Sequence, residues 1–197
     1  MSYLISCLLG YAIGSITFAL LICRFVFDTD IHQKGSGNPG ATNVYRCFGW
    51  KPALAVLILD ILKGVIPTVI IGFVFDFSQL ATFCAGGFSI LGHIFPVFGL
   101  VKGGKGVATA AGVFLVLAPV PLAISFIVYL AILFSLKFGS VASLSAGICL
   151  SVCSWLLEEP PVFYFSLIFT CLVFITHRRN IHDLIVGREG RINEREK

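Results

Sequence analysis

The chain has 197 residues, 57% of them hydrophobic and 12% charged, with a formal charge of +4 and a mean hydropathy of +0.97. Soluble domains are about 45–50% apolar and about 25% charged, so this balance excludes a soluble enzyme, a disordered chain and a nucleic-acid-binding module. What remains is an all-α integral membrane protein, because the apolar stretches are long and lack the ten-residue alternation of a barrel.

The first block, MSYLISCLLGYAIG, has no basic segment ahead of it and no clear small-residue cleavage site, which predicts a retained anchor. Apolar runs then cover 3–27, 52–75, 79–100, 107–134, 138–157 and 161–176, with polar segments at 28–51, 101–106 and 177–197. The fourth run is ambiguous. As one helix it would extend about 42 Å at 1.5 Å per residue, too long unless tilted, whereas Pro119 and Pro121 offer a division into two shorter helices. Basic residues decide the matter, since cytoplasmic loops carry the excess of Lys and Arg. Splitting the run places 13 of the 14 Lys and Arg residues on one face, leaving Asp76, Glu158 and Glu159 on the other. The prediction is seven transmembrane helices, N-terminus outside and C-terminus cytoplasmic, with short fourth and fifth helices and an interfacial motif loop. Residues 1–197 read as a single domain, with no internal repeat or linker.

Seven cysteines, Cys7, Cys23, Cys47, Cys84, Cys149, Cys153 and Cys171, show no CxxC or Cys/His ligand spacing, so neither disulfides nor a structural metal is expected. Inside the second span, Asp60 and Lys63 at i, i+3 are either a mutual ion pair or part of a functional pathway. His93 is expected to hydrogen-bond within the fold.

The three polar segments carry the chemistry. In DTDIHQKGSGNPGATNVYRCFGWK, Gly35, Gly37 and Gly40 interleave with Ser36, Asn38, Thr42 and Asn43. Glycines let backbone amides approach an anion, and a helix from Ala41 to Phe48 would aim its N-terminus at the same charge, with Arg46 a turn further on. The same composition also suits an ordinary turn leading into an interfacial helix. In GHIFPVFGLVKGGKGVAT, residues Gly99 to Lys105 satisfy G-x-x-x-x-G-K. Gly106 replaces the Ser/Thr that would hold magnesium, and no buried strand precedes the loop, so a nucleotide-hydrolysing site is not expected. Backbone amides flanked by Lys102 and Lys105 still suit a phosphate, and a plain positive-inside loop would explain the lysines but not the glycines. In THRRNIHDLIVGREGRINEREK, His177 and Asn180 lie one helical turn apart and can face one aqueous pocket, while Arg191 to Lys197 reads as a solvated basic tail.

Together, GSGNPGATNVYR, GHIFPVFGLVKGGKGVAT and HRRNIHDLIVGRE resemble, in order and position, the three motifs of the bacterial membrane acyl-phosphate:glycerol-3-phosphate acyltransferases, the PlsY family. The resemblance implies transfer of a fatty acyl chain from acyl phosphate to the 1-hydroxyl of glycerol 3-phosphate at the cytoplasmic face of the bacterial inner membrane, without metal or cofactor. It assigns Ser36, Arg46 and Lys105 to the phosphate of glycerol 3-phosphate. It assigns Gly37, Asn38, Thr42, Gly103 and Gly104 to the acyl phosphate, with Asn43 and Lys102 in support, and His177 and Asn180 to the attacking hydroxyl. It also implies an encounter with a soluble enzyme that makes acyl phosphate. Thr176 and Asp183 stand where the family commonly has Arg.

Two phosphates repel, so cations and amide donors must converge on them. No His-x4-Asp dyad follows His32, His93, His177 or His182, which argues against the acyl-CoA type of glycerol-phosphate acyltransferase. Acyl phosphate is an activated mixed anhydride, so positioning with the substrate phosphate as proton acceptor is one route and His177 as general base is the other. A transporter of a phosphorylated metabolite would also want anion-binding loops, but only Asp60 and Lys63 are deeply placed charges and no inverted repeat is apparent.

Overall fold

The computed structural model describes residues 1–76, 78–96, 102–192 and 194, and all regular structure among them is helical. The chain forms two compact units, Met1–Val116 and Leu117–Glu194.

The first unit holds α1 (Ser2–Gly14), α2 (Phe18–Phe27), α3 (Ala41–Phe48), α4 (Trp50–Val74), α5 (Gln79–Ile94) and α6 (Val107–Leu117). Glycine makes its close packing possible. Gly10 and Gly14 of α1 lie on the backbone carbonyls of Ala85 and Ser89 in α5, and Gly64 of α4 lies on that of Thr109 in α6, with no room for a Cβ. Such contacts drive helix association where lipid removes the hydrophobic incentive.

The first apolar run, expected as one span, is two helices broken at Ser15–Thr17. The break frees the Ile16 carbonyl, which accepts a 2.9 Å hydrogen bond from Lys63 Nζ, and the Ser15 hydroxyl turns back to the Tyr11 carbonyl at 2.7 Å. The third run also ends early. Its helix stops at Ile94 rather than near 100, because Phe95 precedes Pro96 and the proline ring forces it out of the helical region, to φ −125° and ψ 68°. Gly99, the start of the expected G-x-x-x-x-G-K pattern, lies outside the described residues.

The second unit holds α7 (Pro119–Leu136), α8 (Gly139–Leu157), α9 (Pro160–Thr176) and α10 (Arg178–Ile185). The ambiguous fourth run divides at the prolines: α6 ends at Leu117, Ala118 leaves the helical region at φ −151° and ψ 67°, and α7 opens with Pro119 in its first turn, where the missing amide is harmless. At 11 residues α6 is about 16 Å long, short of a bilayer core. α8 and α9 are joined by hydroxyls: Thr170 Oγ1 donates to the Gly147 carbonyl at 2.8 Å and lies 2.9 Å from Ser151 Oγ.

By length and hydropathy, Ser2–Phe27, α4, α7 and α8 can each cross a membrane, and α9 with α10, bent by 56° between them, makes a fifth candidate. Phe25, Phe73, Phe126, Ile127 and Ile168 are exposed, the outward apolar surface of a protein whose solvent is lipid. The chain is an integral membrane protein.

Candidate active site

Beyond α2 the chain makes a 3-10 turn, Ile31–Gln33, anchored by a fully buried Ile31 and capped by Asp30, whose carboxylate accepts the His32 backbone N–H at 2.9 Å. That bond, reinforced by the His32 ring, holds the Asp30 carboxyl below the usual carboxylate range. The glycine run follows. Gly35 and Gly37 have φ of +57° and +63°, where a side chain is strained. Asn43, reaching back from α3 and 2% exposed, fixes the loop from inside: its Oδ1 accepts the Ser36 N–H and its Nδ2 donates to the Lys34 carbonyl, both at 2.9 Å. Ser36 is thereby held at an exposed crest.

Gly40 caps α3, which spans Ala41–Phe48 as the sequence predicts and carries Thr42 in its first turn and Arg46 in its last. Having no capping side chain, the helix leaves first-turn amides available to an anion. Val44 of α3 packs with Ile31, Cys23 and Val56, which seats loop and helix on α2 and α4.

The segment Lys102–Gly106 lies against the end of α5. The Gly104 N–H donates to the His93 carbonyl at 3.1 Å. A Cβ on Gly103 would meet the carbonyls of His93 and Ile94, and one on Gly104 would strike the His93 ring. The glycine pair therefore lets this segment lie close on the helix end, with Lys102 exposed and Lys105 half-buried. Gly106, at φ +84°, turns the chain into α6, a conformation that Ser or Thr would resist.

Beneath this segment Asp60 and Lys63, each 2% exposed, pair at 2.9 Å, with the His93 ring 3.7 Å from the same carboxylate oxygen. Of the two readings open in the sequence, the mutual pair is the one formed. Lys63 also ties α4 to the break after α1 through its Nζ and to α5 through its backbone carbonyl, which accepts from the Ser89 hydroxyl at 2.6 Å.

In the second unit His177, 2% exposed, sits at the bend between α9 and α10. Its Nδ1 is 2.8 Å from the Val173 carbonyl. A carbonyl only accepts, so Nδ1 carries the proton and a neutral ring has its lone pair on Nε2. Asn180 is held by Glu189: Asn180 Nδ2 donates to Glu189 Oε1 at 2.7 Å, and the Ser140 hydroxyl donates to Oε2 at 2.7 Å. Thr176 donates to the Val173 carbonyl at 3.0 Å, and Asp183 faces His182 at 3.5 Å, so neither position supplies a cation.

Ser36, Gly37, Asn38, Thr42, Asn43, Arg46, Lys102, Gly103, Gly104 and Lys105 all belong to the first unit, and His177 and Asn180 to the second. Sequence reasoning missed Glu189, Ser140, Asp30 and the His32 ring. Glu189 left a signal as the carboxylate that closes the HRRNIHDLIVGRE segment, and Asp30 and His32 as the polar residues that open DTDIHQKG; Ser140, inside an apolar run, left none.

Apolar helices that carry glycine-rich, lysine-flanked loops at their ends define a helical membrane protein suited to anionic groups. Residues 4–187 match the family described as glycerol-3-phosphate acyltransferase, and the chain belongs to that family. It is 40% identical over 193 residues to glycerol-3-phosphate acyltransferase 2 of Bacillus anthracis, covering 96% of this chain and 98% of that one. It is 39% identical over 183 residues to the glycerol-3-phosphate acyltransferase of Aquifex aeolicus, covering 92% and 95%. Among solved structures it resembles the integral membrane glycerol 3-phosphate acyltransferase PlsY. The glycerol 3-phosphate form of PlsY gives a TM-score of 0.91 at 38% identity over 97% of this chain and 96% of that one. The lysophosphatidic acid form gives 0.88 at 38% identity over 97% and 95%.

Proposed function

We propose that this protein transfers a fatty acyl group from acyl phosphate to the 1-hydroxyl of glycerol 3-phosphate, yielding lysophosphatidic acid and inorganic phosphate. The observation that carries this reading is the near full-length likeness to an enzyme solved with both glycerol 3-phosphate and lysophosphatidic acid. In the reaction the hydroxyl oxygen forms a bond to the acyl carbon, the bond from that carbon to the phosphate oxygen breaks, and phosphate leaves with the electron pair. The hydroxyl proton passes to the substrate phosphate or to His177 Nε2.

Ser36, Arg46 and Lys105 bind the phosphate of glycerol 3-phosphate. Gly37, Asn38 and Thr42, with Lys102 and Gly103, cradle the acyl phosphate. Asn43 and Gly104 serve differently: a buried Asn43 with both ends engaged in the loop, and a Gly104 amide engaged by His93, support a shaping role rather than direct contact. His177 and Asn180 orient the hydroxyl. No metal or cofactor enters, and residues 1–197 act as one membrane-embedded domain. The transmembrane helices number seven, with the N-terminus outside and both C-terminus and site on the cytoplasmic face of a bacterial inner membrane, a reading supported by the gathering of basic residues in the loops. Delivery of so reactive a donor falls to a transient encounter with the soluble enzyme that forms it.

The decisive experiment supplies purified protein in lipid with labelled glycerol 3-phosphate and either palmitoyl phosphate or palmitoyl-CoA. Lysophosphatidic acid from acyl phosphate alone, in step with phosphate release, is the expected result. Product from acyl-CoA overturns the donor, and no product from either with folded protein returns the transporter reading. For topology, Cys47 should react with impermeant maleimide only in inside-out vesicles; labelling of intact cells inverts the orientation.

A further inference from the structure

His32 lies between two of the loops without belonging to either set of assigned ligands. Its Nδ1 is 2.9 Å from Asp30 Oδ1, and its Nε2 is 2.9 Å from the carbonyl oxygen of Lys102, 70 residues away in sequence. The ring is 15% exposed, although the Asp30 side chain beside it is 44% exposed. Both partners are acceptors. A carbonyl only accepts, so Nε2 carries a proton and donates to Lys102, while Nδ1 faces the Asp30 carboxylate. Asp30 completes the arrangement, since the same carboxylate oxygen accepts the His32 backbone N–H and the ring N–H and so fixes the imidazole plane.

The Lys102 carbonyl is the first peptide oxygen of the segment that carries Gly103, Gly104 and Lys105. On one side this segment is held by the Gly104 bond to the His93 carbonyl. His32 supplies the hold on the other side, from the turn that leads into Gly35, Ser36 and Gly37. Turn and segment belong to the same unit, and His32 is a direct link between them.

We propose that His32 is a positioning residue for the acyl transfer, its ring fixing the Lys102–Gly103 peptide so that the two loops present their donors at a set separation. This rests on the function proposed above, because positioning matters to rate only if both loops serve one reaction. Two mutually repelling phosphates must be held at reacting distance, and an error of about 1 Å in such a site lowers the rate by about 10²-fold.

The test compares wild type with His32→Ala, His32→Gln and His32→Arg in lipid. His32→Ala should lower kcat by about 10- to 100-fold with a much smaller change in KM for glycerol 3-phosphate, at unchanged thermal stability. Gln, which keeps one donor, should lie between. Arg, a permanent cation with several donors, should recover most of kcat. Hydrogen exchange read by mass spectrometry provides a readout independent of activity: amides at 103–106 should exchange faster in His32→Ala and return toward wild type in His32→Arg. Wild-type kcat and exchange in His32→Ala overturn the proposal, as does an Arg variant no better than Ala. An inactive wild type would refute the proposed function, while the exchange measurement would still decide whether His32 holds the segment.

Discussion

The loop between α2 and α3 and the bend between α9 and α10 solve the same problem by opposite means. In the loop, shape comes from the backbone: two glycines at positive φ, a proline and an asparagine turned inward leave Ser36 on the outside. At the bend, shape comes from side chains: a carboxylate grips Asn180 and Ser140, and a buried histidine is pinned to the preceding turn of its own helix. The difference teaches where each region is fragile. A backbone-built loop fails when a Cβ is added and tolerates loss of an exposed side chain structurally, so its proposed ligand groups can be deleted cleanly. A side-chain-built bend fails by degrees as hydrogen bonds are removed.

The largest effect should come from the cations of α3 and of the Lys102–Gly106 segment. Arg46→Ala and Lys105→Ala should each lower activity by at least about 10³-fold while expression stays intact, since each removes a charged donor from the site proposed to hold two anions. Wild-type turnover in either would dissolve the cradle assignment. The next effect tests the backbone half of the comparison without touching any charge. Gly35→Ala places a methyl group on the Asn43 amide oxygen and forces a residue with a side chain to φ +57°, so activity should fall about 100-fold. Gly49→Ala is the control: its φ of +87° carries backbone strain, but a Cβ there meets nothing within 4 Å, and a tenfold smaller loss is expected.

Glu189 tests the side-chain half. Glu189→Ala removes the carboxylate that accepts from Asn180 Nδ2 and should lower kcat by about 10- to 100-fold. Glu189→Gln, able to keep one acceptor, should lose about tenfold or less. If Glu189 acts only by aiming Asn180, then Glu189→Ala added to Asn180→Ala should have little further effect, and that non-additivity is the measurement. Independent, additive losses would mean that the carboxylate itself meets substrate.

The two regions were also unequally legible in the sequence. A backbone-built loop announces itself, because glycine is the residue best suited to positive φ and Gly35 and Gly37 are visible in any reading; α3 followed with its bounds intact. The bend did not announce itself, since Glu189 reaches Asn180 from nine residues away and Ser140 comes from a different helix. The same limit hid His32, whose partner is 70 residues distant. In the membrane spans, hydropathy found where apolar sequence lies but not where helices break. The interruptions at Ser15–Thr17 and Phe95 depend on Lys63 reaching a freed carbonyl and on a single proline, and neither changes the mean hydropathy of its run.

The smallest effect concerns the turn beneath the first loop. Because backbone and ring N–H groups of His32 hold the Asp30 carboxyl below its usual range, the sign of its linkage is fixed. Its contribution to stability is fully present above the unfolded-state value, near 4 for a free aspartate, and is lost as pH falls through the lower folded value. Asp30→Asn keeps a side-chain oxygen able to cap the turn, so the variant isolates the charge. In detergent, the melting temperature of Asp30→Asn should lie about 1–2 °C below wild type at pH 7, a small gap because the carboxylate is 44% exposed and screened. The gap should close progressively below about pH 4. A gap that persists unchanged into acid would show that Asp30 acts through its shape alone, and the turn would then join the glycines as a purely backbone-built element.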